Sequence, residues 1–422
     1  MSTLTVSAAS VDAPYTVGTW RGFTTAAVSY TFDDGCANQF PVAIPMFNKK
    51  KFKLTLFIVT SGGMFPGWQK LISAAADGHE IASHTVSHGS LKSMANTAQE
   101  NELKRSQDSI NAHIPGKQCI TLAYPYCETG NEALCGKYYI ASRTCSGQIN
   151  DKSPSNFNQI SSILCGSTTS TRNSVSGINA GADDAAKSGG WCVYLFHGVG
   201  NDGGYSGVSE NVLQGCVDYM DANRKKFWVE SFGNVARYIK ERNAVIVKEE
   251  SATENSFTLK VTDGLDDVIY NYPLSIRRPL PAKWEKVEVT QDGKPVEFSL
   301  KDSAGVKYVT FDVIPDRGTV IISSGAVSNR NVNLMGNGKI LIQPLKLIVN
   351  NMQITVPVTG IGIPVAVSFF NPAGKKIAAS NLNHSYVNTA ETALPSFSLP
   401  AGMCIVRVSD GFNICNSTCL VR

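Results

Sequence analysis

Apolar positions in the first half of the chain fall into short runs that recur between helical stretches. Ala26-Ala27-Val28-Ser29-Tyr30-Thr31-Phe32, Glu80-Ile81-Ala82-Ser83, Tyr139-Ile140-Ala141-Ser142-Arg143-Thr144 and Trp191-Cys192-Val193-Tyr194-Leu195-Phe196 read as buried strands, since both faces of such runs are apolar. Phe232-Gly233-Asn234-Val235-Ala236-Arg237-Tyr238-Ile239-Lys240-Glu241-Arg242 is the last convincing helix. After it the pattern changes to period-two alternation, as in Phe257-Thr258-Leu259-Lys260-Val261, which suits strands with one wet face. Val287-Glu288-Val289 is expected to meet Val296-Glu297-Phe298 across a turn at Asp292-Gly293, and Tyr308-Val309-Thr310-Phe311 to pair with Val320-Ile321-Ile322.

The expected organisation is therefore an α/β unit over residues 1–245 followed by two β-sandwich units, 246–325 and 337–422. A polar stretch rich in Gly and Asn, from about Ser323 to Gly338, reads as the linker, with strands resuming at Ile340-Leu341-Ile342. The last unit contains Val365-Ala366-Val367-Ser368-Phe369-Phe370, a turn at Asn371-Pro372-Ala373-Gly374, and the run Leu399 to Val408.

Chemistry concentrates at two places. Thr31-Phe32-Asp33-Asp34-Gly35 ends the first strand, and Gly78-His79-Glu80-Ile81-Ala82-Ser83-His84-Thr85-Val86-Ser87-His88 ends another some fifty residues on. His84 and His88 are four apart, so a helix or tight turn lets both face one ion, and Thr85 or Ser87 can cap that turn. Asp34 is the best third ligand. One carboxylate with two imidazoles suits zinc, with cobalt or manganese as further candidates, and leaves positions open for water and substrate. Two adjacent carboxylates need separate tasks. Successive side chains at a strand end diverge, so Asp34 turns to the ion and Asp33 remains free as the base.

Four segments taken in order, Thr31-Phe32-Asp33-Asp34-Gly35, His84-Thr85-Val86-Ser87-His88, Tyr124-Pro125-Tyr126 and Leu195-Phe196-His197, resemble the motifs of the polysaccharide deacetylases of the NodB-homology type, carbohydrate esterase family 4. The resemblance covers roughly residues 20 to 245. It implies a distorted (β/α) barrel, and hydrolysis of acetyl groups on sugars such as chitin oligomers, peptidoglycan or acetylxylan. It implies Asp33 as catalytic base, Asp34, His84 and His88 as metal ligands, and His197 as general acid. It further implies that the Tyr126 N–H helps hold an oxyanion, and that Leu195 lines the acetyl-methyl pocket. Pro125 and Arg143 complete the substrate-side set.

Three positions depart from the family pattern. Ala123 stands where an arginine usually pairs with the catalytic aspartate, and Arg143 is the nearest substitute. Cys127 stands where a glycine usually follows the aromatic residue. The acidic motif that orients the acid histidine is missing, and Asp151 is the candidate to replace it.

Composition narrows the setting. Net charge is only +4, and Lys49-Lys50-Lys51 and Arg224-Lys225-Lys226 are the longest basic runs, too short to suggest nucleic acid. No apolar run reaches membrane-spanning length. Of eleven cysteines, eight precede residue 220 and three follow 400. Several would pair in an oxidising compartment, an odd total leaves one thiol over, and Cys36 reads as a small buried hydrophobe rather than a ligand or nucleophile. No leader is read at Met1-Ser2-Thr3-Leu4, and the cysteines and appended β units favour a secreted or cell-surface protein whose leader has been removed. The terminal unit also resembles the sorting domains of type IX secretion, with an ordinary accessory or carbohydrate-binding sandwich weighted equally.

The expected function is metal-dependent deacetylation of an acetylated polysaccharide, with acetylxylan ahead of chitin oligomers and peptidoglycan. Two other readings stand beside it. One is a carbohydrate-binding protein that has lost turnover through Ala123. The other is a glycoside hydrolase, for which Asp33 and Asp34 themselves cannot be the pair, because that chemistry needs carboxyl groups about 5 Å or more apart across a sugar ring.

Overall fold

The computed structural model describes residues 9–324 and, beyond them, the backbone of seven strands between residues 348 and 421. The chain divides into two compact units, Met1–Ala326 and Val327–Arg422.

Eight parallel strands form the centre of the first unit: β1 (Ala26–Asp33), β2 (Thr55–Ile58), β3 (Glu80–Ser83), β4 (Thr121–Ala123), β5 (Ala141–Arg143), β6 (Ile163–Leu164), β7 (Trp191–Phe196) and β8 (Phe227–Val229). Their order is β5-β4-β3-β2-β1-β7-β6. Ile160 bridges Arg143 at the far edge, and the same segment runs on into β6, which pairs with β7. The circle closes there. The distortion comes from β8, which pairs with Ala26–Val28 at the start of β1 while β2 pairs with Thr31–Asp33 at its end. Helices α1 (Ala43–Lys49), α2 (Trp68–Ala76), α3 (Asn96–His113), α4 (Glu132–Tyr138), α5 (Val175–Ser188), α6 (Glu210–Ala222) and α7 (Phe232–Ala244) connect the strands.

Side chains along β1 divide by period two. Ala26, Val28, Tyr30 and Phe32 enter one core with Phe47 of α1, Leu71 of α2, Ile178 of α5 and Leu213 of α6. Ala27 enters a second core with Phe57, Ala82, Ala123, Ala141, Trp191 and Val193, the inward positions of the barrel. Four alanines there leave room for two large rings, Phe57 and Trp191, so the interior is filled with little polar cost. Asp33 lies on the same inward parity as Ala27. It is thus delivered to the barrel's open end by the strand itself.

At the opposite end the barrel shares its core with the β strands that follow. These are β9 (Ile246–Ala252), β10 (Ser256–Thr262), β11 (Leu274–Pro279), β12 (Val287–Gln291), β13 (Phe298–Ser303), β14 (Val306–Val313) and β15 (Val320–Ser324). One sheet runs β9-β10-β15-β12, extended by Ser10–Val11 on β9 and Lys294–Pro295 on β12; the other runs β13-β14-β11 and ends in Thr16–Val17. Phe257, Leu259, Leu274, Ile276, Phe311 and Ile322 join Phe232, Val235 and Tyr238 of α7 in the core that holds Trp191. Each large apolar side chain fully buried there contributes about 1.5–3 kcal/mol.

Three expectations need correction. Residue 245 is not a clean boundary, because residues 10–17 add strands to both later sheets. The Asp292-Gly293 turn forms the expected hairpin, with φ of 50° and 70°, in which Lys294–Pro295 pairs with β12 and the Val296 N–H donates to the Val289 carbonyl (2.9 Å), but the pairing stops there. Phe298 instead starts a strand in the other sheet, and β14 and β15 lie in different sheets rather than side by side. Alternation sets which face of a strand is buried and leaves its partner open.

In the second unit, Ile348–Asn350, Gln353–Val358 and Ala390–Ala393 form one sheet, and Lys376–Leu382, Val365–Phe370, Gly402–Ser409 and Ile414–Val421 form another. The linker beyond residue 324, the strand at Ile340–Ile342, the turn at 371–374, and the side chains of Cys404, Cys415 and Cys419 lie outside the described residues.

The motif residue His79 is structural. Its Nδ1 accepts the Leu54 N–H (3.2 Å) and its Nε2 faces Asn48 Oδ1 (3.2 Å), so the ring is held neutral. Burial, and then the charge of Lys53, lower its pKa to about 4. The unfolded chain therefore takes up a proton first as pH falls, and this stabilisation is full above about 6.5 and lost progressively toward 4. The group is worth at most about 3 kcal/mol. Melting temperatures recorded from pH 7 to pH 4 should fall more steeply for the native chain than for His79→Gln; parallel curves would show that His79 carries no such coupling.

Candidate active site and metal centre

Asp33 is the last residue of β1, and Asp34 and Gly35 follow with φ of 69° and 66°. This left-handed turn bends the chain back, so Asp34 does not diverge from its neighbour as strand geometry alone predicts. Both carboxylates reach the same imidazole: His84 Nε2 lies 3.6 Å from Asp33 Oδ2 and 3.6 Å from Asp34 Oδ1. His88 Nε2 lies 3.5 Å from Asp34 Oδ1.

His84 follows β3, and no helix forms between it and His88. The chain makes a tight turn with Thr85 at φ 66° and His88 at φ 60°. Thr85 Oγ1 accepts the His88 N–H (3.1 Å), the capping role expected of it. Glu102, from α3, accepts the N–H groups of Val86 and Ser87 (both 2.9 Å). His84 Nδ1 faces the Ala123 carbonyl at 2.8 Å, so that nitrogen carries the proton and Nε2 offers its lone pair. Asp34 Oδ1 is buried with no hydrogen-bond partner among the described residues. One ligand atom each from Asp34, His84 and His88 lies within 4.8 Å of the others. An orphaned carboxylate oxygen facing two imidazole nitrogens is a donor set that fits a divalent ion.

Electrostatics separate the two acids. Burial alone would raise Asp33, but Arg143 foremost, then His84 and His197, outweigh it and hold this carboxyl below its ordinary range. Arg143 Nη2 donates to Asp33 Oδ1 and Oδ2 at 2.6 and 2.5 Å, and its Nη1 donates to Ser162 Oγ at 3.0 Å. Asp34 is pushed up to about 7, by burial first and then by the charge of Asp33. Burial lowers His84 to about 4, and lowers His88 and His197 as well. With both histidines neutral, their nitrogens are free to bind a cation.

Arg143 therefore pairs with Asp33, as expected of the substitute for the missing arginine, and does not stand on the substrate side. It is 1% exposed and reaches across the barrel interior from β5, four strands round the sheet from β1, with Phe57 against its guanidinium (5.0 Å). Ala123, opposite Arg143 in register, leaves the space it needs. Asp151 is not the partner of His197. Its neighbour Asn150 pairs with Trp191 at the start of β7, while His197 follows the end of that strand, and Asp151 Oδ1 accepts the Ser153 N–H (2.8 Å). Nδ1 of His197 is buried without a hydrogen-bond partner among the described residues.

Other expected site residues also have definite places. Leu195 is 2% exposed on the inward parity of β7, and Pro125 is buried in the turn after β4. Tyr126, in that turn at φ 57°, is 66% exposed, its ring edge against His88 (4.7 Å). Cys36 is half-buried, and burial raises its thiol to about 12, in keeping with a small packed side chain rather than a thiolate.

Three features lay beyond the reach of sequence reading. Gln39 Nε2 donates both to the Asp33 carbonyl (2.6 Å) and to the His197 carbonyl (2.9 Å), clamping two strand ends together. Tyr205, 57% exposed, sets its ring edge-on to His197 (5.0 Å). Cys127 and Cys145 form a disulfide, which ties the Tyr126 turn to the segment leaving β5. Cys127 has φ 60°, the conformation that makes glycine usual there, and the disulfide helps hold the strained backbone. Among the described residues, Cys36, Cys119, Cys135, Cys165, Cys192 and Cys216 form no disulfide.

Replacing Arg143 by methionine keeps bulk and removes charge, leaving Asp33 buried and unpaired. Such a change costs about 3–5 kcal/mol. Urea unfolding should show that loss for Arg143→Met, and a much smaller additional loss when Asp33→Asn is combined with it. Additive losses would mean that the two side chains do not act as a pair.

Residues 22–137 match the family model described as polysaccharide deacetylase. A gellan lyase from a Bacillus species is 30% identical over 337 residues, 75% of this chain; the chain spans only 13% of that relative's length. Among solved structures, a family 4 carbohydrate esterase from Bacillus anthracis is 15% identical, with 50% of this chain and 82% of that one covered and a TM-score of 0.34. The Xyl-CE4 domain of a multidomain xylanase from the hindgut metagenome of Trinervitermes trinervoides is 16% identical, with 50% and 88% covered and a TM-score of 0.36.

Proposed function

We propose, from the match of residues 22–137 to the polysaccharide deacetylase family model, that this protein is a metal-dependent hydrolase that releases acetate from an acetylated polysaccharide, acetylxylan first. The observation that carries this reading is the division of labour at the barrel mouth. Asp34, His84 and His88 converge on one point, while Asp33 is held ionised by Arg143.

Asp34, His84 and His88 are the residues that would hold zinc, or cobalt or manganese in its place. When bound, such an ion supplies Lewis-acid polarisation of an acetyl carbonyl and of water. Asp33, ionised at neutral pH, takes a proton from the attacking water. His197, at the end of the neighbouring strand, delivers one to the leaving oxygen or nitrogen from its imidazolium form, which burial makes the minor form at neutral pH and the nearby Asp33 charge favours. The Gln39 clamp keeps these two strand ends at a constant spacing. Tyr126 offers its backbone N–H to the oxyanion, and Leu195 beneath His197 receives the acetyl methyl. The exposed rings of Tyr126 and Tyr205, beside His88 and His197 respectively, give sugar rings an apolar face on two sides of the site.

The Arg143–Asp33 pair removes the reason for reading Ala123 as a sign of lost turnover. The disulfide supports action in an oxidising compartment, at the cell surface or beyond it. A relative named gellan lyase adds gellan to the polysaccharides worth assaying.

Acetate release should be measured on acetylxylan, chitin oligomers, peptidoglycan and gellan, before and after chelation and with each metal restored. Chelation should abolish release and zinc should restore it. Asp33→Asn should lower kcat by about 10²–10⁴ with metal content unchanged, whereas the His84→Ala, His88→Ala double variant should lose the metal. Undiminished turnover in that double variant would end this reading. Reducing ends appearing in chelator would favour a glycoside hydrolase instead.

A further inference from the structure

The two histidines at the barrel mouth are held in different ways. His84 is 2% exposed, its N–H donates to the Ile58 carbonyl (2.9 Å), and its Nδ1 meets the Ala123 carbonyl (2.8 Å). It is fixed by β2 and β4 as well as by its own strand. His88 is half-buried, and its ring rests edge-on to the exposed Tyr126 (4.7 Å). Its position is set by the turn that carries it.

That turn is gripped by one face of α3, where Glu102 and Ser106 stand one helical turn apart. Ser83 Oγ donates to Ser106 Oγ (2.8 Å) and accepts the Thr85 N–H (3.1 Å). Glu102 Oε2 takes the next two N–H groups along the chain, those of Val86 and Ser87, and its Oε1 accepts the Ser87 hydroxyl (2.9 Å). The helix is a firm support, since Leu103, Ser106 and Ile110 are buried and the Tyr139 hydroxyl donates to the Leu103 carbonyl (2.7 Å). Bonds to a charged acceptor are roughly twice as strong as neutral ones, and here three converge on one carboxylate. They hold a backbone that is left-handed at Thr85 and again at His88, a path that persists only where its surroundings over-determine it. Val86 is half-buried and Ser87 exposed, so water can satisfy these N–H groups if Glu102 is removed. Water cannot fix their direction.

We propose that Glu102 is a positioning residue for the metal centre, setting through the 85–88 turn where His88 Nε2 meets Asp34 and His84. The inference rests on the reading of Asp34, His84 and His88 as ligands. Groups that orient ligands are typically worth about 10–100-fold in metal affinity. The lever acts through His88, because His84 has anchors of its own on two other strands. Glu102 bonds to the turn and to no ligand side chain, so its loss leaves all three ligands present.

Zinc affinity of the full chain, measured by competition with a chromophoric chelator, tests this. Glu102→Ala should bind zinc about 10–100-fold more weakly than the native chain. Glu102→Gln, which keeps one acceptor oxygen for the two N–H groups, should fall between them. Without metal, Glu102→Ala should melt close to the native chain, and its cobalt complex should differ from the native one in visible absorption, because the His88 ring has moved. With His88→Ala already in place, adding Glu102→Ala should weaken zinc no further. Should Glu102→Ala unfold without metal, the same comparisons decide with Glu102→Gln. Native zinc affinity in the Glu102 variants, or an equal fold loss when His88 is already absent, would overturn the assignment and leave Glu102 as a contact between helix and turn. A native chain that binds no zinc, cobalt or manganese would instead remove the metal-dependent reading itself, and this inference with it.

Discussion

A carboxylate and a guanidinium, both almost wholly out of water, set the character of this molecule. Taking Asp33 into the barrel is unfavourable by itself, since an ionised acid loses its hydration there. The two short hydrogen bonds from Arg143 reverse the balance, and His84 and His197 add to it. The same arrangement keeps Asp33 charged and Asp34 available. Were Arg143 absent, two adjacent acids would compete for one proton. The site works as two distinct groups because one arginine is tied to only one of them.

Holding that arginine in place engages much of the barrel. Ala123 leaves room, Phe57 and Ser162 flank the guanidinium, and the Cys127–Cys145 disulfide ties the strand end that carries it to the Tyr126 turn. Backbone strain gathers at this rim: Asp34, Thr85, His88, Tyr126 and Cys127 all have positive φ. Such conformations persist only where their surroundings over-determine them. The supporting stability comes from the opposite end, where Trp191, Phe232 and Trp284 belong to a core that runs from the barrel interior into the first β sheets. The fold thus spends its packing at the floor and its strain at the mouth.

Much of this was legible along the chain. Thr31 to Gly35 and His84 to His88 carry their chemistry locally, because a strand end and a four-residue spacing suffice to place the side chains near one another. The helix at Phe232–Ala244 and the strands after it were legible for the same reason, since burial imposes a period on each segment separately. Arg143 could be named only as the nearest arginine; nothing in its surroundings indicated that it crosses the barrel. Asp151 was a wrong choice because it lies at the start of β7 and not at its end. Gln39 and Tyr205 had no local signal at all.

The linear order of residues settled which types of group were present, where strands end, and that one carboxylate and two imidazoles would share a rim. It left open every relation between segments distant along the chain: the Asp33–Arg143 bond, the Cys127–Cys145 link, and the exchange of strands between the two later sheets. Periodicity is a property of one segment against solvent, and it survives any choice of partner. A partner is chosen by closure of the barrel and by the need to satisfy buried charge, and both arise only once the whole chain has been packed.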